Sequence, residues 1–163
     1  MAIIGYMGCG KTTVGHALAR TLGWEFVDLD SAIAKAAGHG IPEIFRASGE
    51  EHFRNLEHHA LLDTLDGTRE RVVACGGGII LRPENRKLLE RAATVFLEDE
   101  VDILYDRTRG GDRPLRSGNL EEFERRYADR LPLYEEAADL KVVVRGRPPT
   151  EVAQEIARWL PRA

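Results

Sequence analysis

Eight residues near the amino end constrain this chain more than any others: Gly5-Tyr6-Met7-Gly8-Cys9-Gly10-Lys11-Thr12. They fit the pattern G-x-x-x-x-G-K-[ST] without a mismatch. The glycines let the backbone curl until successive N–H groups point inward and form a nest for an anion. The lysine reaches the outer phosphates of a nucleoside triphosphate, and the hydroxyl after it is placed to ligate Mg2+. The surroundings agree. Ala2-Ile3-Ile4 is a short apolar strand, and Thr13 to Leu22 reads as a helix with Val14, Ala17, Leu18 and Thr21 on one side. Such a helix turns its unpaired N–H groups and its positive end toward the same phosphates. A glycine-rich turn that merely carried Lys-Thr would not need strand, loop and helix in this order. Binding of a nucleoside triphosphate is therefore expected, with Gly8, Cys9, Gly10, Lys11, Thr12 and Thr13 around its phosphates.

Composition narrows the class. A chain of 163 residues, 43% apolar and 31% charged, predicts one globular domain. A net charge of −4 argues against a nucleic-acid partner. No apolar run approaches the ~20 residues that cross a bilayer, and no signal-peptide pattern precedes the first strand, so no membrane partner and a cytoplasmic location are expected. Cys9 and Cys75 both lie in glycine-rich loops, where reduced thiols are expected rather than a disulfide.

Downstream, Glu25 to Asp30 predicts a second strand that ends in two carboxylates, Asp28 and Asp30. Residues two apart on a strand share a face, so both acids would look into the space at the strand's carboxyl end, where ligands bind in open α/β sheets. The alternative is that Asp30 or Ser31 caps the next helix, Ala32 to Ala37; both readings can hold together. A short helix at Ile41 to Phe45 precedes a longer one, opened by the capping-box spacing Ser48-Gly49-Glu50-Glu51 and closed by Gly67. Arg54 and Glu57 on it have the spacing of a solvated surface pair. His52, His58 and His59 do not have the spacing of a metal site and read as helix surface.

Arg71 to Cys75 is a third strand that runs straight into Gly76-Gly77-Gly78, a mark of close backbone approach to a ligand or a loop. Arg82 to Arg91 predicts a helix, Ala93 to Leu97 a fourth strand and Val101 to Arg107 another helix. Thr108 to Asn119 has almost no apolar anchor but three glycines and three arginines. It is either a solvated linker or a mobile lid that closes over phosphates. Leu120 to Ala137 is helical but broken at Pro132, Leu140 to Val144 is a fifth strand, and Thr150 to Leu160 a last helix. Strands alternating with helices predict a parallel sheet covered on both faces.

Taken together, the ordered features resemble the shikimate kinase family over nearly the whole chain. They are Met7 to Thr12, Asp28-Leu29-Asp30, the run Gly49 to Glu57, Gly76-Gly77-Gly78, Arg113-Pro114-Leu115 and Arg130-Leu131-Pro132-Leu133-Tyr134. The resemblance implies an α/β P-loop kinase of nucleoside-monophosphate-kinase type: a five-stranded parallel sheet flanked by helices, a substrate-binding subdomain at about residues 30–60 and a mobile lid at about 107–119. It implies transfer of the ATP γ-phosphoryl group to the 3-hydroxyl of shikimate, with one Mg2+, in a protein expected to be a monomer. Asp30 would hold the ring hydroxyls beside the attacking oxygen, and Asp28 would join Thr12 in holding Mg2+. Arg54 and Arg130 would bind the shikimate carboxylate, which turns Arg54 from a surface residue into a functional one with Glu57 orienting it. Gly76, Gly77 and Gly78 would face the substrate, Gly77 donating its backbone. Lys11 and Arg113 would act on the phosphates as catalytic groups with Asp30. Arg107 would join them in ATP binding, and Arg147, ahead of two prolines, would lie against adenine. Arg116 departs from the family pattern, where an apolar residue is usual, so lid docking is expected to differ.

Two rival readings remain at this point. Another small kinase of the same fold, acting on gluconate or a nucleotide, would share the loop but not the joint pattern of Asp30, Arg54, Gly77 and Arg130. A noncatalytic ligand-sensing domain would be expected to lack Lys11, Thr12 or Asp30, and all three are present.

Overall fold

The structure, a computed structural model, describes residues 1–66, 70–108 and 119–160. Its centre is a five-stranded parallel sheet: β1 (Ala2–Ile4), β2 (Glu25–Asp28), β3 (Arg71–Ala74), β4 (Thr94–Glu98) and β5 (Leu140–Val143), in the order β2-β3-β1-β4-β5. The shortest strand is the middle one. Ala2 pairs with Val73 on one side and Thr94 on the other, and all three residues of β1 are fully buried. The unbroken apolar runs Val72-Val73-Ala74 and Val95-Phe96-Leu97 are buried too, the signature of strands covered on both faces. The edge strands β2 and β5 are only partly covered.

Among the described residues, seven helices surround the sheet: α1 (Lys11–Leu22), α2 (Leu29–Ala37), α3 (Ile41–Leu65), α4 (Pro83–Leu89), α5 (Val101–Arg107), α6 (Leu120–Ala137) and α7 (Pro149–Trp159). α1 begins two residues before the expected start and packs against α7. It buries Val14, Gly15, Leu18 and Ala19, while Thr21 is exposed and bonds back to the Ala17 carbonyl.

Four local expectations are corrected. β2 stops at Asp28, so Asp28 and Asp30 do not share a strand face. Asp28 is instead the N-cap of α2, its Oδ1 accepting from the Ser31 N–H at 3.0 Å, and that bond turns the chain into the helix that carries Asp30. The two predicted helices around residue 48 are one assigned segment, α3, kinked at Gly49 (φ 78°, ψ 175°). That conformation is open to glycine alone, so the backbone breaks the helix there and a Ser48 capping box does not. Gly67, expected to close it, lies outside the described residues; the Asp66 N–H bonds to the Leu62 carbonyl. A 3-10 turn at Ile79–Leu81, not foreseen, leads from the glycine triplet into α4.

Finally, α6 runs through Pro132 without a break. Proline removes one helical hydrogen bond, but the next turn is anchored by Tyr134, fully buried and stacked on Phe96 with ring centroids 5.0 Å apart. Residues 109–118, and with them Arg113, Arg116 and most of the expected lid, lie outside the described residues. Among the described residues no helix is long and apolar enough to cross a membrane.

Candidate active site

A parallel sheet sends the loops after its strands to one edge, and here β1, β2 and β3 each deliver a chemical group to the same cleft. The cleft has a volume of about 610 Å³. After β1 comes the phosphate-type loop. Gly8 (φ 87°) and Gly10 (φ 88°) take left-handed conformations that side chains resist, which curls the loop as the motif requires. Lys11 lies inside the curl, its Nζ donating to the carbonyls of Gly5 at 2.9 Å and Tyr6 at 3.0 Å. Gly8, Gly10, Lys11, Thr12 and Thr13 line the cleft, whereas Cys9 is buried beneath it with its Sγ 3.8 Å from Lys11 Nζ.

After β2, Asp28 and Asp30 both line the cleft although they reach it from a cap and a helix. The Thr12 hydroxyl donates to Asp28 Oδ2 at 2.8 Å, which joins the first and second strand ends through two hard oxygen donors.

After β3, the glycine triplet meets α3. Arg54 Nη1 donates to Glu57 Oε2 at 2.8 Å, and its Nε and Nη2 donate to Glu50 Oε1 at 3.3 and 3.0 Å. Glu50 was not expected to take part; its place four residues before Arg54 is the signal that could have found it. The spacing alone predicted a solvated Arg54–Glu57 pair, but Arg54 is 6% exposed and Glu57 not at all. Burial pushes the Glu57 carboxyl above its ordinary range, Arg54 pulls against this, and the charge of Asp30 adds to the rise. For Arg54 burial is also the largest influence and opposes its charge, but Glu57 and Glu50 outweigh it and hold the guanidinium ionised.

The two outer glycines of the triplet leave no room for a side chain as the cleft stands. A Cβ on Gly76 would stand 2.7 Å from Glu57 Oε1 and 2.8 Å from Asp30 Oδ1, and one on Gly78 would collide with the Arg54 guanidinium. Glu57 Oε1 has no hydrogen-bond partner among the described residues.

Two further arginines face the cleft. Arg130 on α6 sits over the Tyr6 ring, its Cζ 5.5 Å from the centroid. Arg107 at the end of α5 donates to the Gly8 carbonyl at 3.3 Å and to Asp99 Oδ2 at 2.7 Å. Asp99, buried just past β4, went unremarked in the sequence, although a carboxylate at a strand's carboxyl end is where α/β sheets place ligand-side groups. Arg147 is not brought to the cleft: it is tied to Glu151, Glu155 and the Val143 carbonyl. Among the three histidines read as surface, His58 is half-buried and its Nδ1 lies 2.7 Å from Asn85 Oδ1. Among the described residues, no group of three or more His, Cys, Asp or Glu could hold a metal ion by itself.

Chemically, the cleft pairs a phosphate cradle with a carboxylate-lined middle and two guanidinium groups, Arg54 and Arg130, beside backbone donors. Such an arrangement suits transfer of a phosphoryl group to a small anionic acceptor.

Known proteins agree with that chemistry. The model of the shikimate kinase family matches residues 7–161. A shikimate kinase of Trichormus variabilis is 42% identical over 163 residues, covering 98% of this chain and 89% of its own. One from Persephonella marina is 36% identical over 156 residues, covering 94% of both chains. The solved structure of the Acinetobacter baumannii shikimate kinase in complex with shikimate superposes with a TM-score of 0.90 at 36% identity, over 98% of this chain and 94% of that one.

Proposed function

The chain belongs to the shikimate kinase family, and we propose that its cleft divides the work of that family's reaction between a phosphate cluster and an acceptor cluster. The reaction moves the γ-phosphoryl group of ATP to the 3-hydroxyl of shikimate, giving shikimate 3-phosphate and ADP. The rival kinases of the same fold and the sensor domain are thereby set aside.

In the phosphate cluster, Lys11 and Arg113 balance charge on the transferring group, and the N–H nest of residues 8–13 holds the remaining phosphates. Little covalent work falls to the protein in phosphoryl transfer; positioning and charge compensation supply most of the effect. Arg107 braces the loop through the Gly8 carbonyl and meets the nucleotide, and Arg147 would have to leave Glu151 and Glu155 to lie against adenine. A nucleotide-associated divalent metal goes with ATP in a kinase of this family. We assign it as a single Mg2+ held from Thr12 and Asp28, because their paired oxygens match the hard donors that ion prefers. When bound, it neutralises charge shared by the β- and γ-phosphates.

In the acceptor cluster, Arg54 and Arg130 grip the carboxylate, Gly76, Gly77 and Gly78 offer their backbone, and Asp30 accepts or orients the proton of the attacking hydroxyl. One observation carries this reading: Arg54 is buried against Gly78 yet kept charged by Glu57 and Glu50. A guanidinium in that position is costly unless it is paired, and its planar fork matches a carboxylate. The substrate subdomain at about 30–60 and the lid at about 107–119 belong to the same proposal. So do a monomeric state and a cytoplasmic location.

The test is coupled ADP release with MgATP and, in turn, shikimate, gluconate, AMP and no acceptor. Release with shikimate alone supports the assignment. Release with gluconate or AMP instead would remove the roles given to Arg54 and Arg130.

A further inference from the structure

Tyr134 has no part in the roles assigned so far, yet it joins the two halves of the acceptor cluster. It is fully buried on α6, its ring lies parallel to Phe96 of β4 with planes 8° apart, and its hydroxyl donates to the carbonyl of Gly77. Arg130 precedes it by one turn of the same helix, with its guanidinium beside that hydroxyl. Tyr134 therefore touches the glycine triplet and Arg130 at once.

The geometry of a peptide unit gives this contact its consequence. The unit is planar and trans, so the carbonyl of Gly77 and the N–H of Gly78 point in opposite directions. A hydroxyl that holds the carbonyl toward α6 turns the Gly78 N–H away from it. That N–H meets no acceptor among the described residues, and Gly78 itself lies against the Arg54 guanidinium.

We propose that Tyr134 is a positioning residue for shikimate: its hydroxyl sets the direction of the Gly77–Gly78 peptide and keeps it in register with Arg130. Arg54, Arg130 and the backbone donor then meet one carboxylate-bearing ligand together. The proposal rests on the carboxylate-grip reading above. Burial pushes the phenol well above the ordinary tyrosine range, so the group stays a neutral donor across working pH. Deleting a single oxygen tests it, since Tyr134→Phe keeps the ring, its stacking and its volume.

Three variants, Tyr134→Phe, Arg130→Ala and Val152→Ala, would be compared by KM and kcat for each substrate and by thermal midpoint. Val152 is fully buried on α7, away from the cleft, and its truncation serves as a purely structural lesion. Tyr134→Phe should raise the KM for shikimate about tenfold, the effect of one lost hydrogen bond to an ordered group, and leave the KM for ATP nearly unchanged. Val152→Ala should lower the midpoint while moving neither KM. An unchanged shikimate KM in Tyr134→Phe, with a raised one in Arg130→Ala, would overturn the role of Tyr134 and leave the grip standing. An equal rise in both KM values, or the same shikimate shift in Val152→Ala, would overturn it as a general packing effect. An unchanged shikimate KM in Arg130→Ala would overturn the grip and this proposal with it.

Discussion

Arg54 and Glu57 sit three residues apart on α3 and form a buried ion pair: Nη1 donates to Oε2 at 2.8 Å, and the Glu57 side chain has no exposed surface. On most helices such a pair is a solvated contact worth a few tenths of a kcal/mol. Here the helix presses that face onto the glycine triplet, and the pair becomes the floor of the cleft. Its charges are held by each other and by Glu50, so its chemistry is tied to the fold itself.

The pH dependence of stability should report that burial. Burial raises the folded pKa of Glu57 above the ordinary 4.5, and Arg54 only partly offsets it. A carboxyl that binds its proton more tightly when folded contributes stability that is full below the unfolded pKa and lost as pH rises through the folded one. The thermal midpoint of the parent should therefore fall relative to that of Glu57→Gln as pH climbs from about 4.5 through this window, and the two curves should then run parallel. Melting curves across the acid range check this; curves parallel throughout would mean that the folded pKa is not raised.

Asp30→Asn removes the group proposed to take or orient the hydroxyl proton. Turnover should fall by about 10²–10⁴-fold, the usual weight of general acid–base assistance, while ATP affinity survives. Single-turnover kinetics with a separate nucleotide-binding measurement separate the two. A variant within a few-fold of the parent would take the role from Asp30.

Gly78→Ala puts a methyl group into the Arg54 guanidinium. Displacing that side chain should cost on the order of 10²-fold in kcat/KM for shikimate, because small errors in placement are expensive in an orienting site. Steady-state kinetics at saturating ATP would show it, and an unaffected kcat/KM would mean that Arg54 can move aside without consequence.

Asp99→Asn weakens the hold on Arg107, which bridges the buried carboxylate and the phosphate loop. Arg107 is itself half-exposed, so solvent screens much of the charge. A rise in the KM for ATP of about threefold to tenfold is expected, with the KM for shikimate unchanged. The opposite pattern would move Arg107 to the acceptor cluster.

Tyr6→Phe should stabilise the protein. The Tyr6 hydroxyl is buried and has no hydrogen-bond partner among the described residues, while its ring packs edge-on against Phe123 and Tyr127. Removing an unsatisfied buried hydroxyl should gain about 1 kcal/mol. Chemical denaturation measures this, and a loss of stability would reveal a partner for the hydroxyl.

The sequence by itself determined the phosphate loop, the five strands and the alternation that makes the sheet parallel. All of these rest on local rules: glycines where the backbone must curl, apolar runs where a strand is covered on both faces, and a hydroxyl after a lysine. Even Asp28 and Asp30 were legible as a pair, although the route was wrong, since a cap and a helix bring them to the cleft where one strand face was expected.

The sequence marked Phe53, Leu56, Ala60 and Leu61 as the buried side of α3, and the core takes them in. Only the tertiary structure decided that the Arg54–Glu57 pair is buried as well, that Asp99 holds Arg107, that Arg147 turns toward α7, and that Tyr134 bonds to Gly77. Helical spacing says which residues share a face and is silent on whether that face meets water or the sheet. The Tyr134–Gly77 and Arg107–Gly8 bonds join residues 57 and 99 positions apart. Such bonds form only after non-adjacent strands have packed side by side and carried their loops to one edge. The chemistry was written in residue types, and the burial that gives each charge its strength came from the packing.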